Sequence, residues 1–413
     1  VKHGVIVAPV IWLALAAQSL ALEATGVVKK VDAEAGVIVV FAGGMDRTLK
    51  VAGDAQFLDA AGKPLPDGLK AKEVREGAEV TMTVERAGNA PTLKALRLGA
   101  RAGATPAGGP PGPGPAAAGR SSTGVKPLNE MTAQEKYKGE AGGLYGEGRN
   151  EPPEAHRAAA RAEGAKIAPL DAEGHPAKDG TIALVSISMS NATQEFSVFK
   201  GLADADAGKS PRVTIVDCAQ GGQAMAQWVD PQGKAWKEAD RRLEVAKVSP
   251  KQVQAAWVKL ANVGPSGELT EHGRKLQRDT LAVLHNAKAR FPNLRIAYLG
   301  SRIYGGWATT RLNPEPYAFE GAFAARWLIQ DQARGSAELA YDAAGGGAKA
   351  PLLLWGPYLW GDGLTPRADG LVWERADFVA DGTHPSTSGR RKVAELLLKF
   401  FKTEETAKGW FAR

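Results

Sequence analysis

Thr181-Ile182-Ala183-Leu184-Val185-Ser186-Ile187, followed at once by Ser188-Met189-Ser190-Asn191-Ala192-Thr193, is the stretch that decides the fold. An almost unbroken apolar run of this length, bounded by small polar residues, predicts a strand buried on both faces. Comparable runs recur at 213–218, 255–260, 294–299 and 351–355. Helical patterns separate them. The clearest spans 272–290, where Leu276, Thr280, Leu284 and Ala287 recur at helical spacing before Phe291-Pro292-Asn293 ends it. Strands alternating with helices predict an α/β domain on a parallel sheet. In such open sheets, reactive groups collect on the loops beyond the carboxyl ends of the strands.

Toward the N-terminus the pattern changes. Short β runs with turn signals between them occupy 22–99, at 26–31, 36–41, 47–51, 79–84 and 93–98. This spacing predicts a small all-β barrel or sandwich. It carries no titratable constellation, so its expected role is binding or spacing. Residues 100–125 are rich in Ala, Gly and Pro, including Gly108-Gly109-Pro110-Pro111-Gly112-Pro113-Gly114-Pro115, and read as a linker that cannot bury a core. Residues 1–21 run from Val1-Lys2-His3 through an apolar stretch to Ser19-Leu20-Ala21, the small-x-small pattern of a signal-peptidase site. The apolar stretch is shorter than the ~20 residues a membrane span needs. The expectation is export, to a secreted or periplasmic location, with no stable membrane span.

The 413 residues, 44% of them hydrophobic, are enough for two or three ordinary globular domains. Removal of Lys2 with the signal lowers the net charge of +7 by one. The basic residues are interleaved with acidic ones, so nothing marks a nucleic-acid partner. Cys218, the single cysteine, has no partner for an internal disulfide and reads as the buried end of a core strand. Six scattered histidines with no His-x-x-x-His pair give no metal framework. The relaxed phosphate-loop pattern at 203–210 precedes a strand instead of following one, and Asp204 and Asp206 would repel an anion there.

Near the C-terminus, Asp381-Gly382-Thr383-His384-Pro385-Ser386 places a carboxylate three positions before an imidazole, just ahead of a helical run at 390–398. A serine hydroxyl is a poor nucleophile at neutral pH until a neutral imidazole within hydrogen-bond reach takes its proton. A carboxylate on the same loop fixes the tautomer of that imidazole and stabilises the imidazolium that forms. The same residues also suit a plain turn followed by a helix cap at Ser386 or Thr387. Three further candidate blocks follow strands: Ser188 to Thr193 after the first, Ala219-Gln220-Gly221-Gly222-Gln223 after the second, Ala261-Asn262 after the third.

This order resembles the SGNH, or GDSL-type, hydrolase superfamily over residues 126–413. The resemblance implies a three-layer α/β/α, flavodoxin-like fold and a serine esterase activity without metal or cofactor. It implies Ser190 as nucleophile, Gly222 as a backbone N–H donor to the oxyanion, Asn262 as its side-chain donor, and His384 with Asp381 as base and orienting carboxylate. Preset donors of this kind are worth ~3–4 kcal/mol each in the transition state. Ser188-Met189-Ser190 stands where the family has Gly-Asp-Ser, and Leu260-Ala261-Asn262-Val263 where it has Gly-x-Asn-Asp. Ser186 and Ser188 remain rivals for the nucleophile, and Ser190 also suits a helix N-cap. Aromatic-rich loops carrying Arg302, Tyr304, Trp307, Trp355, Tyr358 and Trp360 are the candidates for the substrate cleft. The family often removes acetyl groups from polysaccharides, so the expected substrate is an O-acyl ester on a carbohydrate. The alternative is a non-catalytic exported protein that binds a glycan or a surface. Oligomeric state is not legible in the sequence.

Overall fold

The computed structural model describes residues 21–42, 45–87, 90–99, 119–342 and 347–413. The signal-like segment up to residue 20 and residues 100–118 of the expected linker lie outside them. The chain divides into two compact units.

In the first unit, β1 (Ala21–Asp32), β2 (Val37–Ala42), β3 (Met45–Leu58), β4 (Glu79–Ala87) and β5 (Ala90–Leu98) close into a barrel in the order β1-β2-β3-β5-β4. Each expected β run falls on one of these strands, with Gly36 left in the turn before β2, and closure decides for the barrel over the sandwich. The strand order is that of an OB-type barrel. Val28, Ile38, Val40, Leu49, Val80, Met82, Leu93 and Leu96 fill it. β3 runs further than its apolar pattern predicts, because the register with β5 breaks between Val51 and Gln56 and then resumes. A bulge of this kind interrupts the period-2 signal without ending the strand.

The second unit opens with a small hairpin, β6 (Lys136–Tyr137) and β7 (Glu140–Ala141), and helix α1 (Glu154–Ala165). Then come β8 (Ile182–Ser188), α2 (Ser190–Ala205), β9 (Val213–Val216), α3 (Met225–Val229), α4 (Lys234–Val245) and β10 (Val253–Lys259). The chain continues through α5 (Arg274–Arg290), β11 (Ile296–Leu299), α6 (Tyr317–Ala333), β12 (Leu352–Trp355), α7 (Thr387–Thr403) and α8 (Lys408–Phe411). The five strands β8 to β12 form a parallel sheet in the order β12-β11-β10-β8-β9. Every residue of β8 and β10 is buried, which is why those strands read as continuous apolar runs.

The topology reverses at β8. One connection leaves it toward β9, and all later connections run the other way. Right-handed crossovers therefore put α2 on one face of the sheet and α3 to α6 on the other. Packing agrees. Phe199 of α2 stacks on Phe401 of α7 at 5.5 Å, and Phe196 stacks on Trp257 of β10 at 5.6 Å. On the other side Trp228 of α3 meets Trp236 of α4 edge-on at 4.9 Å, and Trp236 meets Phe291. The switch point falls between β8 and β10, the position where open α/β sheets present ligand sites.

The expected linker ends sooner than residue 125. The Arg120 N–H donates to Gly306 O at 2.8 Å, and the Asp362 carboxylate accepts from Thr123 N–H at 2.6 Å and Gly124 N–H at 2.9 Å. Residues 119–125 thus belong to the α/β unit. Among the described residues no helix is long and apolar enough to cross a membrane.

Candidate active site

β8 ends at Ser188 and α2 begins at Ser190, so Ser190 stands on the first turn at the carboxyl edge of the sheet. Its Oγ–H donates to His384 Nε2 at 2.7 Å. His384 Nδ1–H donates to Asp381 Oδ2 at 2.5 Å, which leaves the Nε2 lone pair for the serine proton. Asp381 Oδ1 accepts the backbone N–H groups of Thr383 and His384, both at 2.9 Å. Burial alone would raise the Asp381 carboxyl, but the His384 ring and these two N–H groups outweigh it and hold the group below the ordinary carboxylate range.

The loop carrying these residues is clamped. The Val379 N–H donates to His384 O at 3.0 Å, closing the loop, and the Thr309 N–H donates to Asp381 O at 2.9 Å. Gly382 has φ +60, and a Cβ there would lie 1.7 Å from Trp307 O. Only glycine fits both the left-handed backbone and the close approach.

The two rival serines point elsewhere. Ser188 is buried with its hydroxyl on Lys259 O, and Ser186 donates to Asp217 Oδ1 at 2.6 Å. Gly222 and Asn262 lie on the loops after β9 and β10. Gln220 N–H donates to Ser188 O at 3.0 Å, and Met225 N–H to Ala261 O at 3.3 Å, so both loops are tied to the edge that carries Ser190. Gly222 is exposed at φ +74 with open space around it. The Asn262 side-chain amide nitrogen is buried without a hydrogen-bond partner. An unsatisfied buried donor is costly unless something else fills it, such as a developing oxyanion.

The aromatic loops expected to line a substrate cleft turn most of their side chains inward. Arg302, Tyr304, Trp355, Tyr358 and Trp360 are all buried. The aromatic tips serve the interior: Tyr304 OH donates to Arg120 O at 2.6 Å, Trp355 Nε1–H to Leu144 O at 2.7 Å, and Trp360 Nε1–H to Glu315 Oε1 at 2.7 Å, whereas Arg302 leaves Nε and Nη1 buried without a hydrogen-bond partner among the described residues. Tyr358 OH accepts the Leu128 N–H at 3.3 Å. Half-buried Trp307 donates to Trp373 O at 2.9 Å and backs Gly382, so its role is to support the loop of the imidazole. Cys218 is buried, and burial pushes its thiol up, as a core residue requires.

Four supporting residues were missed. Buried Asn191 donates its side-chain amide to Thr383 O at 2.7 Å, holding the Asp381–His384 loop to α2. Its signal was an amide in the first turn of an apolar helix, where a side chain without a partner is disfavoured. Asp217 accepts from Ser186, from Thr193 Oγ1 at 2.6 Å and from Ala219 N–H at 3.2 Å, joining β8, α2 and the Gly222 loop. Desolvation pushes its carboxyl up to about 6. Lys259 of β10 and Glu195 of α2 form a fully buried ion pair, with desolvation pushing the lysine down to about 8. Their local sequence carries no signal for it.

No family model matches this chain, and neither does any curated protein. Among solved structures it is similar to silver-bound CusF, at 18% identity and a TM-score of 0.15 over 19% of this chain and 97% of that one. It is also similar to apo-CusF residues 6–88 from Escherichia coli, at 18% identity and 0.17 over 22% of this chain and 100% of that one. Likenesses of this extent bear on neither the α/β unit nor the ligand of either unit.

Proposed function

We propose that this chain is an exported serine esterase of the SGNH type that hydrolyses O-acyl esters, acetyl esters of carbohydrates first among them. The observation that carries this reading is the unbroken relay from Ser190 Oγ through His384 to Asp381, at 2.7 and 2.5 Å. Ser190 Oγ attacks the carbonyl carbon while its proton passes to His384 Nε2, and Asp381 stabilises the imidazolium. The oxyanion is held by the N–H groups of Ser190 and Gly222 and by the orphaned Asn262 amide. Collapse expels the alcohol, which takes the proton from His384, and a water activated by the same imidazole releases the acid. Export rests on residues 1–21, and the carbohydrate assignment on the family resemblance.

The test is hydrolysis of p-nitrophenyl acetate by the protein beside Ser190→Ala, Ser188→Ala and His384→Ala, each checked for folding by circular dichroism. Turnover abolished by Ser190→Ala and His384→Ala but retained by Ser188→Ala supports the reading. Equal activity in all four, or none in any, contradicts it and leaves a binding protein as the better account.

A further inference from the structure

A cleft of about 570 Å3 opens beside Asn262, lined by Gln227, Val263, Pro265, Glu271, Lys275 and Arg278 among others. Val263 is 61% exposed, a large apolar side chain left uncovered next to the proposed oxyanion donor. The opposite wall is the helical turn Leu269–Gly273 and the first part of α5. There His272 is turned inward onto Glu320, and Lys275 is paired with Asp279. Arg278 is exposed and has no hydrogen bond or ion pair among the described residues.

A second guanidinium stands on the adjoining loop. Residues 309–312 bridge the two halves of the site: Thr309 N–H donates to Asp381 O at 2.9 Å, and Leu312 O accepts Gly264 N–H at 3.2 Å. Arg311 within this bridge is exposed and likewise has no partner among the described residues. Glu271 offsets one of these charges, so the cleft and its rim keep a cationic excess. A guanidinium without an internal partner presents a planar fork that matches carboxylate, phosphate or sulfate.

We propose that this cleft takes an anionic group of the substrate, so that the preferred ester bears a carboxylate, phosphate or sulfate beyond the scissile bond. Arg278 is its principal contact, Arg311 stands at the rim, and Val263 with Pro265 packs the apolar part. The proposal rests on the esterase reading and names its substrate class.

The experiment compares matched esters with the full chain: phenyl acetate against 4-acetoxybenzoate for an anion on the alcohol side, and p-nitrophenyl butyrate against mono-p-nitrophenyl glutarate for one on the acyl side. Each kcat/KM is divided by that ester's rate of alkaline hydrolysis. The anionic member is favoured about two- to fivefold in one pair, the upper part of the range an exposed ion pair supports, and the preference shrinks in high salt. The pair that shows it identifies the side of the ester that enters the cleft. Arg278→Glu together with Arg311→Glu brings that ratio to one or below, while the remote Arg334→Ala keeps it. Turnover of neutral esters with both ratios at or below one overturns this inference alone, as does a preference unchanged in the double variant. Absence of turnover on every ester overturns the esterase reading and this inference with it.

Discussion

At the scale of single residues, the site depends on one hydrogen-bonded imidazole and the carboxylate that orients it. Asp381→Asn keeps the shape but lets the amide favour the wrong tautomer of His384. Turnover of p-nitrophenyl acetate should fall by about 10³–10⁴ in protein that keeps its folded circular-dichroism spectrum, and a loss below tenfold would contradict the role given to Asp381. The sign of its pH dependence follows from the direction of its shift. The folded carboxyl titrates below its unfolded value, so its contribution to stability is complete above the ordinary carboxylate range. It is lost as pH falls through the lowered folded value. Asp217 behaves oppositely. Its folded carboxyl titrates at about 6, above the unfolded value, so its contribution is present at low pH and is lost as pH rises from about 4 to 6. Thermal unfolding of Asp217→Asn should lack that slope while keeping the acid limb.

Among the elements, α2 matters most, because its first residue is Ser190 and its position is set from below. The Lys259–Glu195 pair bolts α2 to β10 at the switch point, and Asn191 bolts it to the Asp381–His384 loop. Glu195→Gln leaves a buried ammonium without its counter-ion and should cost about 3–5 kcal/mol in denaturant unfolding. Replacing both partners by apolar residues of similar volume should cost much less; equal losses would show that the pair does not act as a unit. Gly382→Ala forces a Cβ against Trp307 O and should cost about 1–3 kcal/mol while separating His384 from Ser190. Elements of this kind were unevenly legible. The Asp-x-x-His spacing sits on one short loop and could be read locally. The Lys259–Glu195 and Asn191–Thr383 contacts join residues far apart in the chain, and no local pattern encodes them.

Across the whole molecule, strands carried by apolar periodicity were readable, because a strand buried on both faces admits little else. All five strands of the sheet and all five of the barrel lie where their runs stand, with ends shifted by a few residues or, for β3, extended through a bulge. The aromatic loops misled for a physical reason. Trp and Tyr between glycines suit a sugar cleft and a packed loop equally, and only the fold shows that Trp360 and Tyr304 bury their rings. The cleft by Asn262 was invisible because its cations stand on α5 and on the 309–312 loop, distant in sequence. Because residues 119–125 belong to the α/β unit and the relay lies wholly within it, a chain starting at residue 119 should retain kcat/KM for p-nitrophenyl acetate within about threefold of the full protein, a loss of under ~1 kcal/mol. The most direct test of the central claim is labelling with a fluorophosphonate probe, followed by intact mass and peptide mapping. The account predicts one adduct per chain, on Ser190, lost in Ser190→Ala and much slowed in His384→Ala. No adduct on well-folded protein, or an adduct on Ser188, would contradict it.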